Sequence, residues 1–222
     1  MATLTVENYV KAIYQICTEA HSTSAATGTV AKRLGVSPGT VTSMLRTLAE
    51  SGLANYQAYE GVQLTEAGRR LALRVLRRHR LIELFLVQTL GLTWDEVHEE
   101  AEHLEHAVSD RLIDRIDSFL EYPNRDPHGD PIPRSDGSFP DDASAEPLIR
   151  CEPTTQFVLD RVIEQSPEFL RYLSDAGLSI GSIGTVVENH PTARALVVKT
   201  SDGQVTLGHD LAEKILIRRS HD

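Results

Sequence analysis

A chain of 222 residues allows one large domain or two to three small ones, and 41% hydrophobic with 24% charged residues is the make-up of an ordinary globular protein with real cores. No run of about 18 apolar residues exists, which excludes a membrane-spanning helix, and the amphipathic start MATLTVENYVKAIYQI lacks the basic region of a signal peptide. Two distant cysteines, Cys17 and Cys151, do not support a disulfide scaffold and fit a cytoplasmic chain with free thiols, and the net charge of −10 would argue against nucleic acid if it were evenly spread.

It is not evenly spread. Residues 1–80 carry ten Lys and Arg against five Asp and Glu, residues 81–160 five against nineteen, and residues 161–222 seven against eight. A basic N-terminal third joined to an acidic middle fits a DNA-binding module followed by a cation-binding one.

Helical spacing of Val6, Tyr9, Val10, Ile13 and Ile16 predicts a first helix over residues 5–20. A second is expected over Ala25–Leu34, stopped by Gly35. Ser37 is a good N-cap and Pro38 suits a first helical position, so a third helix is expected over Pro38–Ser51 with Val41, Leu45 and Leu48 inward. Helix, tight turn and capped helix is the helix-turn-helix pattern. Gly39, Thr40, Thr42, Ser43 and Arg46 are small or hydrogen-bonding residues that allow close approach to a major groove. With Thr27, Ser37 and Pro38 they are the expected DNA contacts. LANYQAYEGVQLTEAG alternates around Glu60-Gly61 and reads as a two-stranded wing.

Thr65 opens a long helix carrying Arg69, Arg70, Arg74, Arg77, Arg78 and Arg80, which passes without a linker into HRLIELFLVQTLGLTWDEVHEEAEHLEH, His79 to His106. His79 and Glu83 are four apart and share a helix face. His98, Glu102, Glu105 and His106 stand at i, i+4, i+7 and i+8 and form one stripe of a second helix. Imidazoles and carboxylates gathered on one stripe are what a divalent cation requires, whereas Glu96, Glu99, Glu100 and His103 read as a solvated face. LIDRIDSFLEY continues as packing and dimer surface, and residues 123–150 read as loop and linker. Beyond Cys151 the pattern changes. VLDRVIEQ reads as a strand, and a short helix follows from Ser166-Pro167 to Gly177. Strands are then expected at Ser182–Val187, Ala195–Lys199, Val205–Leu207 and Ile215–Arg218. The expected class is mainly α with a small β domain. It comprises a winged helix-turn-helix over residues 1–73, a helical metal-binding and dimerisation domain over 74–143, and an SH3-like β-barrel over 144–222.

Four stretches carry a family resemblance: VAKRLGVSPGTVTSMLRTLAESGL, RRHRLIELFL, WDEVHEEAEHLEHAVSDRLIDRI and the loop PHGDPIP at Pro127–Pro133. The chain resembles, over nearly its whole length, the diphtheria toxin repressor family of metal-dependent transcriptional regulators, and its C-terminal part resembles the ferrous-transport-associated domain of longer members. The resemblance implies a homodimer that binds a palindromic DNA operator when divalent metal is present. It implies one metal site at Asn8, Glu102, Glu105 and His106, and a second at His79, Glu83 and His98 completed by Gln165 and Glu168. Iron-type members carry Cys where this chain has Glu102 and Met where it has Asn8; manganese-type members carry Glu and Asp there, often with another Glu where this chain has Lys11. Oxygen and imidazole donors without a thiolate suit Mn²⁺ or Fe²⁺. The rival classes are a metal-dependent hydrolase using the His/Glu cluster, against which stands the lack of a nucleophile elbow or HExxH motif, and a DNA-binding protein indifferent to metal.

Overall fold

The computed structural model describes residues 3–141 and 145–220, and the chain folds as two compact units. The first holds residues up to His79 together with His103–Ser109 and Pro133–Ser138; the second holds Arg80–Glu102, Asp110–Ile132 and the chain from Phe139 onward.

In the first unit α1 spans Leu4–Glu19, with Thr3 Oγ1 accepting the Val6 amide. Helix α2 covers Thr27–Leu34, starting two residues later than its apolar pattern suggests. Ala25 is committed elsewhere, exchanging both backbone hydrogen bonds with Val62 in an isolated β-bridge. Gly35, at φ +64°, makes the left-handed turn that ends α2. Helix α3, Pro38–Glu50, begins where Ser37 Oγ accepts the Thr40 amide at 3.1 Å. It buries Val41, Leu45 and Leu48 against Val10, Ile13, Val30 and Val62. Strands β1 (Ala54–Gln57) and β2 (Gly61–Leu64) pair antiparallel as the wing. Helix α4, Glu66–Phe85, starts with Thr65 Oγ1 accepting the Gly68 amide. Gly68 must be glycine for closeness, because a Cβ there would lie 1.9 Å from the Leu53 carbonyl oxygen.

The residues of α4 from Arg80 on belong to the second unit. A π-helical turn, Leu86–Leu90, follows and ends at Gly91 with φ +72°. Helices α5 (Val97–Leu104) and α6 (Asp110–Phe119) come next. The single helical stripe expected from His98 to His106 does not form. The helix stops at Leu104, whose carbonyl accepts both the Ala107 and Val108 amides, so Glu105 and His106 sit in a turn. The C-terminal part is one antiparallel sheet in the order β3-β8-β4-β5-β6-β7. Its strands are β3 (Glu146–Pro147), β4 (Gln156–Val162), β5 (Ile183–His190), β6 (Ala195–Thr200), β7 (Gly203–Gly208) and β8 (Ile215–Arg219). The SH3-like domain is therefore an open six-stranded sheet with β3 and β7 as edges, not a closed barrel; register shifts at Leu159/Arg161 and Val186/Glu188 mark its bulges. Helix α7 (Pro167–Asp175) packs Phe169, Leu170 and Leu173 into the core with Phe157, Leu159, Val198 and Ile217. A short α8 (His209–Ala212) precedes β8. Among the described residues no helix is long and apolar enough to cross a membrane.

Candidate metal centre and DNA-binding face

The exposed side of α3 presents Gly39, Thr40, Ser43 and Arg46, with Ser37 and Pro38 at its start. Two hydroxyls of the expected set serve the helix itself: Ser37 Oγ caps it, and Thr42 Oγ1 donates to the Pro38 carbonyl at 2.9 Å. Thr27 is half-buried at the start of α2. The arginines of α4 divide in two. Arg69, Arg70 and Arg74 are exposed, whereas Arg77, Arg78 and Arg80 are buried and spent inside the protein. Arg77 donates to the Pro133 carbonyl, Arg78 to the Glu105 carbonyl, and Arg80 reaches the Pro131 carbonyl with Asp126 and Asp130.

Within the second unit, Glu83, Asp126 and His128 each offer a ligand atom within 4.8 Å of the others, and all three are buried. Glu83 comes from the last turn of α4, and the other two from the loop that leads to Pro133. Asp126 Oδ1 accepts the amides of His128 and Asp130, at 2.8 and 2.9 Å, which shapes the loop. His128 is 0% exposed. Its Nε2 lies 2.7 Å from the Trp94 carbonyl oxygen, which only accepts, so Nε2 carries the proton. Nδ1 is left as a buried lone pair with no hydrogen-bond partner, 3.8 Å from Glu83 Oε2. Burial, then the charges of Asp130 and Glu83, push the Asp126 carboxyl well above the usual carboxylate range despite the opposing Arg80. An orphaned imidazole nitrogen facing two crowded carboxylates is a donor set for a divalent cation, with the backbone carbonyl setting the tautomer as outer-sphere groups do in metal sites. His98, half exposed, places Nδ1 3.4 Å from Glu83 Oε1 and Nε2 3.9 Å from Glu102 Oε1, so α5 lies at the edge of this group.

Within the first unit a second cluster gathers around Glu105, which is 0% exposed. His79 Nδ1 lies 2.7 Å from Glu105 Oε2 and His106 Nε2 3.1 Å from Glu105 Oε1. His106 Nδ1 is 2.7 Å from Glu7 Oε2, and Lys11 Nζ donates to Glu105 Oε1 at 2.6 Å. Asn8 Oδ1 is buried with no hydrogen-bond partner.

The structure thus brings Glu105 and His106 together with His79, and Glu83 with His98. Gln165 instead donates its amide to Asp130 Oδ2 at 3.0 Å, and Glu168 is exposed in the first turn of α7. Three acidic or imidazole residues went unassigned in the sequence: Glu7, Asp126 and His128. Glu7 neighbours Asn8, and only burial separates the two. Asp126 and His128 both lie just before Gly129, where φ is +85° and a Cβ would meet the Asp160 carbonyl oxygen at 2.1 Å. An Asp-x-His-Gly run bent this tightly is the signal that could have found them.

Comparison with known proteins identifies the family. Residues 1–62 match the family described as iron dependent repressor, N-terminal DNA binding domain; residues 65–134 match iron dependent repressor, metal binding and dimerisation domain; residues 146–219 match the FeoA domain. The iron-dependent repressor IdeR of Mycobacterium tuberculosis is 31% identical, the alignment covering 97% of each chain. The diphtheria toxin repressor of Corynebacterium diphtheriae is 28% identical over 93% of this chain and 89% of that one. A solved manganese-dependent transcriptional repressor in complex with manganese matches at a TM-score of 0.84 and 41% identity, covering 97% of this chain and 100% of that one. All three are repressors, which leaves the hydrolase reading without support. With a winged DNA-binding unit, buried His/Glu clusters and relatives aligned from end to end, the chain belongs to the iron-dependent repressor family, that of the diphtheria toxin repressor.

Proposed function

We propose that this chain is a cytoplasmic repressor, not an enzyme, whose homodimer binds a palindromic DNA operator when Mn²⁺ or Fe²⁺ is bound. The observation that carries the metal half of this reading is the unpartnered, fully buried Nδ1 of His128 beside Glu83 and Asp126. Two sites per chain are proposed. One is held by Glu83, Asp126 and His128 with His98 and Glu102 at its edge; the other by Glu7, Asn8, Glu105 and His106, with His79 as a further donor. Domain limits near residues 73 and 143 divide the winged helix, the metal and dimerisation helices and the sheet. A bound cation supplies positive charge to carboxylates that burial otherwise penalises.

All the named donors are carboxylate, amide or imidazole groups, a set that suits Mn²⁺ and Fe²⁺, and the 41%-identical manganese-dependent repressor favours Mn²⁺. Exposure of Ser43 and Arg46 on α3, with Arg69, Arg70 and Arg74 on α4, supports the DNA half. Duplexes selected from a random pool with Mn²⁺ present, then titrated with and without chelator, test the reading. Affinity should fall on chelation by at least the roughly 5- to 150-fold range of allosteric couplings. Equal affinity in both conditions would refute it.

A further inference from the structure

Most charged groups of the Glu105 cluster pair with one another, whereas His106 Nε2 is buried without a hydrogen-bond partner. Glu105 is fully buried, and its two oxygens face Lys11 Nζ at 2.6 Å, His79 Nδ1 at 2.7 Å and His106 Nε2 at 3.1 Å. His106 spans the gap to Glu7 through its other nitrogen. Lys11 is itself only 6% exposed, so a formally charged ammonium has been carried into the interior with this carboxylate as a partner. A buried carboxylate without a cation is strongly penalised, and the ammonium nearest the Glu105 carboxylate is that of Lys11, with Arg78 on the Glu105 carbonyl.

We propose that Lys11 is a built-in competitor for the divalent ion. Its ammonium holds Glu105 in the metal-free chain, gives that carboxylate up when the cluster fills, and so sets the free-metal concentration at which filling occurs. The inference rests on the reading of Glu7, Asn8, Glu105 and His106 as a metal site. Its physical basis is that an ammonium and a divalent ion on one carboxylate oxygen repel each other at short range in a medium that screens poorly. Lys11 sits on a flexible four-carbon stem, so it can move off Glu105 without moving α1. Removing its charge has two linked effects. The metal-free fold loses a partner for Glu105, and the metal no longer has to displace one.

The test is a titration of the full-length protein with Mn²⁺ alone, reading free Mn²⁺ from its six-line electron paramagnetic resonance signal. Glu105→Gln identifies the equivalent that belongs to this cluster. Lys11→Gln keeps a donor for Glu105 but removes the charge, so it protects folding better than Lys11→Met. Both should bind that equivalent roughly tenfold more tightly or better, a shift within the coupling measured for close charge pairs. Both should also melt lower than the parent without metal and gain more on adding Mn²⁺. Lys11→Arg, which keeps the charge, should stay near the parent. Unchanged or weaker Mn²⁺ binding in Lys11→Gln, or binding in Lys11→Arg as tight as in Lys11→Gln, overturns the proposal while leaving the metal site intact. If Glu105→Gln titrates as the parent does, the cluster holds no metal and the proposal falls with the site.

Discussion

His128 donates its Nε2 proton to the backbone carbonyl oxygen of Trp94 across 2.7 Å, and this contact decides which nitrogen faces Glu83. The two rings also stack, with centroids 6.2 Å apart and planes 16° from parallel. Trp94 is the chain's one tryptophan, and its Nε1 donates to Ser174 Oγ. Its fluorescence is therefore a local reporter of the His128 site. Paramagnetic Mn²⁺ should quench it in a saturable way. His128→Ala should remove the saturable phase and weaken that equivalent by more than the about 10- to 100-fold typical of outer-sphere losses. Saturable quenching that survives in His128→Ala would place the ion elsewhere.

Asp126 gives a pH dependence with a definite sign. Its carboxyl is held above the usual range by burial first, then by Asp130 and Glu83. The metal-free fold therefore keeps a proton that the unfolded chain gives up. The contribution of Asp126 to stability is fully present below the unfolded value of about 3.9 and is lost as pH rises through the window up to the raised folded value. Asp126→Asn should flatten this fall in chelator and melt higher than the parent near neutral pH, while binding Mn²⁺ more weakly. Melting curves across pH with and without Mn²⁺ check both halves; a parallel pH slope in parent and variant contradicts the assignment.

Gly129 is the backbone condition for that site. Its φ of +85° and the 2.1 Å approach to the Asp160 carbonyl oxygen leave no room for a side chain. Gly129→Ala should cost about 1–3 kcal/mol of stability from strain alone, and should weaken Mn²⁺ binding because Asp126 and His128 immediately precede it. Denaturant unfolding with Mn²⁺ titration measures both.

The divided arginines of α4 predict two phenotypes. Arg46→Ala, Arg69→Ala, Arg70→Ala and Arg74→Ala should weaken binding to all duplexes and lower the salt slope by about one unit for each phosphate interaction removed. Arg77→Ala and Arg80→Ala should lower the melting temperature instead, since these side chains hold the Pro133 and Pro131 carbonyls. On α3, Ser43→Ala should alter sequence preference, whereas Thr42→Ala should not, its hydroxyl being spent on Pro38. Salt-dependent DNA titrations and duplex selection distinguish the two classes.

Much of the architecture could be read from local rules. Ser37-Pro38 starting α3, Gly35 ending α2, and the alternation around Glu60-Gly61 depend on short-range geometry, and the observed elements match them within a few residues. The segment from His79 to His106 carried the expectation of a cation site because its residue types are costly to bury without one. Which residues form each cluster was not local. Glu7 and Asn8 are adjacent on α1, and a step of one residue turns a helix by about 100°, so packing alone chose Glu7 to meet His106. The stripe ended at Leu104, and Glu105 beyond it is buried on Lys11 and His79, partners 94 and 26 residues away in sequence.

The sequence by itself therefore determined the element types, the basic and acidic division, and the presence of oxygen and imidazole donors, since propensity, capping and charge are properties of neighbouring residues. Only the tertiary structure decided that Asp126 and His128 close on Glu83, that Lys11 lies on Glu105, and that half of the α4 arginines face inward. Those are long-range pairings of buried charges. Their partners are selected by which groups lose water together when the chain packs, and no spacing along the chain records that.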